Sequence, residues 1–211
     1  MLHPRQVLQG AQPGAALLPV CDHYSGTPLR MRKSLDLQAQ MSAEFGRCVF
    51  DATLDCEDGA PVGAEDEQAH RIAELALEQA RIVAGGRRVN RVGARVHPVD
   101  HPAFASDVQT IVGRAGTVLD YLMLPKVESV ADVERAVSAI DLAGRSARAL
   151  AALPALPLHV LIESPGALAQ AMAIAAHPRV ESLSFGLMDF VSAHAGAIPA
   201  CAMAYDASGT T

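Results

Sequence analysis

The chain has 211 residues, 50% of them hydrophobic, so it can bury one sizeable core, and we expect a single domain over residues 1–211. Its formal net charge of -6, without a lysine-rich run, lacks the basic footprint of a nucleic-acid-binding protein. The four cysteines, Cys21, Cys48, Cys56 and Cys201, lack the close pairing of a zinc site, and we expect buried, reduced thiols.

The N-terminal residues 1–14 contain prolines and glycines but no long apolar run. This composition predicts neither a signal peptide nor a membrane span. We therefore expect a cytoplasmic protein without a membrane partner.

Six short apolar runs recur along the chain, each followed by polar or glycine-containing residues and then by residues with helical periodicity. Runs that are apolar throughout indicate strands covered on both faces, as in a parallel sheet. The predicted strands are residues 15–21, 48–54, 91–96, 118–124, 158–162 and 180–185.

Three of the intervening stretches carry clear helix signals. Residues 65–84 place apolar side chains at helical spacing and end at Gly85-Gly86. Ser129 can cap a helix over 130–142. Ser164, followed by Pro165 at the first helical position, opens an alanine-rich helix that runs to about His177.

This repetition predicts the α/β class and a parallel (β/α) barrel. An eight-stranded barrel normally needs roughly 250 residues, so about six units fit in this chain. With six strands, two sheet edges would stay unpaired. We expect either a longer native chain with two further units or a second subunit that covers the edges.

The reactive groups of parallel α/β proteins collect where the strands end. Glu163 follows an apolar strand, and an isolated carboxylate there needs a partner. A hard divalent cation that takes a few carboxylate oxygens and several waters is the usual solution. Asp189, after the neighbouring strand, can supply a second carboxylate, so the sequence predicts a Mg2+ site at these two residues.

Structural interpretations of the strand-end residues stay open. A carboxylate there is often a helix cap or an ion-pair partner, and Arg95 could simply pair with Glu57 or Asp58. Lys126 could lie solvated on the rim. The dipeptide Asp22-His23 could be an acid/base dyad or part of a loop turn.

Five motifs follow one another at these strand ends. They are Asp-x-Glu-Asp at 55–58, Arg-Val-His at 95–97, Leu-Pro-Lys-Val-Glu at 124–128, Ile-Glu-Ser at 162–164 and Phe-Gly-x-x-Asp-Phe at 185–190. In this order they resemble the citrate lyase β-subunit-like family, which is grouped with HpcH/HpaI aldolases and malyl-CoA lyases. The resemblance runs from about the second strand to Ala197.

The resemblance implies a (β/α)8 TIM barrel of the phosphoenolpyruvate/pyruvate type that assembles as a homotrimer or homohexamer. It implies Mg2+, or Mn2+, as the cofactor. The site residues that it implies are Glu163 and Asp189 for the metal, Arg95 and Gly186 for the substrate, and Arg95, Lys126, Glu57 and Asp58 for catalysis.

The implied activity is that of a carbon–carbon lyase. It cleaves a malyl-, citramalyl- or citryl-CoA-like thioester to a 2-keto acid and an acyl thioester, or forms the thioester from these two compounds. Residues 21–30 differ from the Pro-Gly turn and basic residue that are usual in the family, and CoA binding is partly built there. Two alternatives therefore stand beside this function. One is a CoA-independent aldolase acting on hydroxy keto acids, and the other is a non-catalytic lyase subunit that binds an acyl carrier partner.

Overall fold

The computed structural model describes residues 18–19, 21–83, 90–146 and 155–199. Within them, strands and helices alternate along the chain. The strands are β1 (Asp22–Ser25), β2 (Asp51–Asp55), β3 (Val92–Arg95), β4 (Tyr121–Leu124), β5 (Leu158–Ile162) and β6 (Val180–Phe185). The helices are α1 (Pro28–Phe45), α2 (Glu65–Val83), α3 (Phe104–Ala115), α4 (Val130–Ser146), α5 (Pro165–Ala175) and α6 (Leu187–Ala193).

The six strands form one parallel sheet in the order β1-β2-β3-β4-β5-β6. Each strand therefore pairs with the next strand along the chain, and a helix connects each pair. This is the winding of a TIM barrel, and the described residues supply six of its βα units, as predicted from the sequence. None of the described helices is long and apolar enough to cross a membrane.

The main core lies between the outer face of the sheet and the helices. It consists mostly of alanine, valine, leucine and isoleucine side chains, such as Ala94, Leu122 and Ile111, which are fully buried. A smaller cluster of Tyr121, Met123 and Leu161 packs with Tyr24 on the other face of the sheet. Since successive side chains of a strand point to opposite faces, the second face is the barrel interior.

The predicted strands 158–162 and 180–185 are confirmed residue for residue. Strands β3 and β4 lie inside their predicted ranges, and β2 extends one residue past its predicted end, to Asp55. The first strand was predicted wrongly. It spans Asp22–Ser25 rather than residues 15–21, of which 15–17 and 20 lie outside the described residues. Its polar side chains are accommodated because Asp22 Oδ1 accepts a hydrogen bond from Thr53 Oγ1 at 2.5 Å.

Residues 21–30 are therefore a strand and the start of α1, not a loop. The proposed Asp22-His23 dyad does not form, because neighbouring strand residues face opposite sides of the sheet. His23 is exposed and its ring meets the edge of Phe50, with 6.1 Å between centroids. The expectation of buried thiols holds for Cys56 but not for Cys21, which is exposed.

The three helices predicted from the sequence are present. Ser164 caps α5, since its Oγ accepts a hydrogen bond from Ala167 N at 3.0 Å. At α4 the predicted cap residue Ser129 is the donor rather than the acceptor: its N and its Oγ both donate hydrogen bonds to Asp132 Oδ2. The Gly85-Gly86 stop lies outside the described residues.

A polar layer fills the amino-terminal end of the barrel interior, which we call the base. His159 stacks on Tyr121 with 3.8 Å between ring centroids, and its Nε2 lies 3.0 Å from Glu181 Oε2. Arg91 donates from Nε to Asp51 Oδ1 at 3.0 Å and from Nη2 to Glu181 at 2.6 Å. The contact of Arg91, just before β3, with Glu181 of β6 links strands that are not neighbours in the sheet, so the base ties the curved sheet together.

Candidate active site

Charged side chains collect at the opposite, carboxyl end of the strands. The parallel register sets Asp55 beside Arg95, and Arg95 beside Met123, so the ends of β2, β3 and β4 lie level with one another. Glu163 follows β5 directly, and Asp189 lies in the first turn of α6, just after β6. Five consecutive strands therefore deliver their end residues to one region.

Arg95 is held by a buried ion pair with Asp55. Its Nε and Nη2 donate to the two oxygens of the Asp55 carboxylate at 2.7 and 2.6 Å, and its Nη1 lies 3.1 Å from Glu57 Oε2. The face of the guanidinium lies over the Tyr24 ring, 5.1 Å from its centroid. Burial alone opposes the charge, but the Asp55 hydrogen bonds and charge raise the pKa of Arg95, so it stays cationic.

Lys126 bridges several carboxylates. Its Nζ donates to Glu57 Oε1 and lies 3.5 Å from Asp58 Oδ1 and 4.0 Å from Asp189 Oδ2. Partial burial opposes the charge, but the hydrogen bond to Glu57 and the nearby negative charges raise the pKa of Lys126. The side chain is thus a fixed cation at neutral pH rather than a proton acceptor.

Lys126 also orients Glu163 through its backbone. Its φ of 51° lies in the left-handed region, which is uncommon for a residue with a side chain. In this conformation its N–H donates to Glu163 Oε2 at 2.8 Å. Strain of this kind, kept at a cluster of charged groups, is typical of functional sites.

Glu163 is 7% exposed, and its environment is electrostatically unfavourable for a carboxylate. Burial, followed by the negative charges of Asp189 and Glu57, raises the pKa of Glu163, while the Lys126 N–H and the charge of Arg95 lower it. Among the described residues, the Lys126 N–H is the one hydrogen-bond donor to this carboxylate. A further positive charge beside Glu163 would therefore stabilise the site.

Gly186 leaves room for the Glu163 side chain. A Cβ atom at this position would overlap Cγ and Oε1 of Glu163. The Gly186 N–H donates to Ile162 O at 2.9 Å and its carbonyl accepts from Phe190 N at 3.0 Å. Since both backbone groups have partners within the protein, the contribution of Gly186 to substrate binding, which stays a prediction, would be the space that it leaves.

The charge balance of the site suits a divalent cation. Five carboxylates, from Asp55, Glu57, Asp58, Glu163 and Asp189, accompany two cations, Arg95 and Lys126. No group of three or more His, Cys, Asp or Glu side chains within the described ranges forms a metal-binding cluster by itself. Glu163 and Asp189 would hold a Mg2+ ion that takes its other oxygens from water or substrate, an arrangement that Mg2+ prefers to an all-protein cage.

The structure brings together all seven site residues singled out from the sequence. The suggested pairing of Arg95 with Glu57 is present, and Lys126 is 39% exposed in its side chain but bound to carboxylates rather than simply solvated. The sequence did not assign a role in the site to two residues that the structure places there. Asp55 stood in the first motif without a role, and Tyr24 lay in the segment interpreted as a loop.

The fold and this carboxylate-rich site define a TIM-barrel protein whose candidate active site lies at the carboxyl-terminal ends of the strands. Residues 36–197 match the model of the HpcH/HpaI aldolase/citrate lyase family. The chain belongs to this family of carbon–carbon lyases, as the motifs predicted.

Several relatives agree with this assignment. An L-malyl-CoA/beta-methylmalyl-CoA lyase of Cereibacter sphaeroides is 33% identical over 143 residues, which are 66% of this chain and 41% of that protein. A citrate lyase from Burkholderia xenovorans LB400 is 43% identical with a TM-score of 0.76, and the match covers 92% of this chain and 56% of that one.

A citrate lyase β subunit from M. tuberculosis, solved with oxaloacetate and magnesium, shares the fold at 18% identity. Its TM-score is 0.54, and the match covers 84% of this chain and 62% of the other. This chain thus spans less than two thirds of the length of each of these relatives.

Proposed function

We propose that this chain is the metal-binding part of a Mg2+-dependent carbon–carbon lyase that cleaves a 3-hydroxyacyl thioester into a 2-keto acid and an acyl thioester. The observation that carries the proposal is the meeting of Glu163 and Asp189 around Lys126, beside the buried Arg95. The same groups could run the reaction in the direction of carbon–carbon bond formation.

A Mg2+ ion bound by Glu163 and Asp189 would act as a Lewis acid for negative charge on the keto oxygen and would orient the keto acid. Mn2+ could replace it, since it accepts similar oxygen ligands. The support for a metal is the uncompensated negative charge around Glu163 and the Lys126 N–H that turns its carboxylate.

Arg95 is suited to bind a carboxylate or an enolate oxygen. Two of its five N–H groups donate hydrogen bonds to Asp55, and Nη1 forms an ion pair with Glu57, so N–H groups of Nη1 and Nη2 remain for a ligand. Because the guanidinium is already fixed by its partners, binding an anion requires little reorganisation, and such preorganised donors lower barriers by about 2.7–4 kcal/mol.

Lys126 and Glu57 set the charge of the site. The ammonium group of Lys126 reduces the charge repulsion among Glu57, Asp58 and Asp189. The same positive charge can attract an anionic substrate. The raised pKa of Lys126 makes it a poor proton acceptor, so we assign it to positioning and electrostatics.

The test is a lyase assay on the purified full-length protein with malyl-, beta-methylmalyl- and citramalyl-CoA, with keto acid release as the readout. We expect activity that needs Mg2+ or Mn2+ and is lost in Glu163→Gln, a variant that keeps the side-chain size but removes the charge. No keto acid from any of these thioesters would refute the substrate class.

A CoA-independent aldolase is a second candidate, because the β1–α1 connection is only Gly26-Thr27 and its Gly26 packs directly against Gly59. Few groups remain in that connection to contact a nucleotide. Assaying CoA-free hydroxy keto acids beside the CoA thioesters separates the two: faster cleavage of a free hydroxy keto acid would favour the aldolase.

The third candidate is a non-catalytic subunit that binds an acyl carrier partner. Turnover by the purified protein alone would exclude it. A homotrimer or homohexamer remains part of the proposal, and light scattering of the purified protein would test it.

A further inference from the structure

A single carboxylate at the end of β2 organises much of the active site. Asp55 is fully buried and accepts four hydrogen bonds. Two come from Arg95, at 2.7 Å to Oδ1 and 2.6 Å to Oδ2. The other two come from the backbone of the following turn, where Glu57 N donates to Oδ1 and Gly59 N donates to Oδ2, each at 2.9 Å.

All four partners of Asp55 are hydrogen-bond donors, so position 55 requires a carboxylate side chain. An ionised carboxylate only accepts hydrogen bonds, whereas an amide must also donate. An asparagine at this position would have to turn its NH2 group toward N–H donors on one side. At least two of the four hydrogen bonds would then be lost in either orientation of the amide.

The contacts of Asp55 connect two parts of the site that are distant in sequence. On one side lies the turn that carries Glu57, which in turn binds Lys126 and the Nη1 of Arg95. On the other side lies Arg95 of β3. Gly59 allows this close approach, because a Cβ atom there would overlap Asp55 Oδ2.

We propose that Asp55 is a positioning residue that fixes the plane of the Arg95 guanidinium and the place of Glu57 before substrate binds, so that Arg95 meets the keto acid with the N–H groups that Asp55 does not bind. This inference rests on the proposed function for the identity of the ligand. The hydrogen-bond geometry of Arg95 does not depend on that identity.

The experiment compares Asp55→Asn with Asp51→Asn. Asp51 is a matched control because it is also a buried carboxylate on β2, and it also accepts an arginine Nε–H, from Arg91 at 3.0 Å. It lies in the base, at the opposite end of the strand. A loss due only to a removed buried charge would affect both variants alike.

Three readouts are measured in both variants: the Kd of Mg2+, the Kd of glyoxylate or oxaloacetate in saturating Mg2+, and kcat and KM with the best thioester. For Asp55→Asn we expect keto-acid affinity and kcat to fall roughly 10–100-fold, with little change in the Kd of Mg2+. Asp51→Asn should keep the parental values. Equal losses in the two variants would overturn the proposal.

A fourth readout is independent of any substrate. The Arg95 Nε–H, assigned by its loss in Arg95→Lys, should exchange slowly with solvent in the parent and rapidly in Asp55→Asn. Slow exchange in both would overturn the positioning role even if the protein cleaves thioesters. Inactivity of the parent on every thioester would refute the proposed function and leave the exchange result standing.

Gly59→Ala provides a second variant in case Asp55→Asn does not fold. Gly59 is exposed, and its added methyl group would displace Asp55 Oδ2 without removing charge. We expect smaller losses in the same readouts, with the Kd of Mg2+ again preserved. Parental keto-acid affinity and parental Arg95 exchange in this variant would contradict the proposal.

Discussion

Gly186→Ala tests whether the position of the Glu163 carboxylate matters, because it displaces this side chain without removing its charge. The added methyl group would overlap Cγ and Oε1 of Glu163, while the φ of -89° at Gly186 is accessible to alanine. The whole effect of this substitution therefore comes from the collision. Glu163 is tied to Lys126 N and is nearly buried, so either its side chain turns away from the site or the backbone after β6 moves.

Overpacking of this kind typically costs about 1–3 kcal/mol, and losing the Lys126–Glu163 hydrogen bond adds about 1 kcal/mol. We expect a decrease of about 2–4 kcal/mol in the free energy of unfolding without metal. The larger effect should be on Mg2+ binding, since Mg2+ at about 100 times its Kd stabilises the parent by about 2.7 kcal/mol. In Gly186→Ala this stabilisation should largely disappear.

The assay is urea unfolding with and without Mg2+, together with calorimetric titration of Mg2+. Gly113→Ala is the control, because Gly113 lies in α3 and its nearest atom to an added Cβ is Gln109 Nε2 at 3.6 Å. That variant should be neutral or up to about 1 kcal/mol more stable, with parental Mg2+ binding. Parental Mg2+ affinity in Gly186→Ala would refute the assigned role of the Glu163 carboxylate.

Three other substitutions test separate parts of the structure. Burial raises the pKa of Asp51 from 3.8 to about 6, so the contribution of this group to stability is present below pH 3.8 and is lost as the pH rises through 6. In Asp51→Asn the free energy of unfolding should therefore depend less on pH between these two values. An unchanged pH dependence would contradict this. Ser164→Ala removes the cap bond to Ala167 and should cost about 0.5–2 kcal/mol in urea unfolding. Lys126→Met removes the ammonium group but keeps the backbone N–H that orients Glu163. We therefore expect kcat to fall at least about tenfold while Mg2+ still binds. Loss of Mg2+ binding would show that the ammonium group is needed for the metal site.

The amino-acid sequence determined the parts of this protein that depend on local pattern. Apolar runs placed β5 and β6 to the residue, and the Ser164-Pro165 pair placed the start of α5. Because parallel strands place all their carboxyl ends at one edge of a sheet, residues such as Glu163 and Asp189 could be assigned to one site. The family motifs then indicated the chemistry.

Contacts between residues that are far apart in the sequence were decided by the tertiary structure. The four-residue strand β1 carries Asp and His, and it is stable as a strand because Thr53, on another strand, is the partner of Asp22. The pairing of Asp55 with Arg95 joins residues 40 positions apart. Local periodicity reports which side chains are buried, but a buried charge is stabilised by the partner that the fold brings to it, and that partner has no fixed spacing in the sequence.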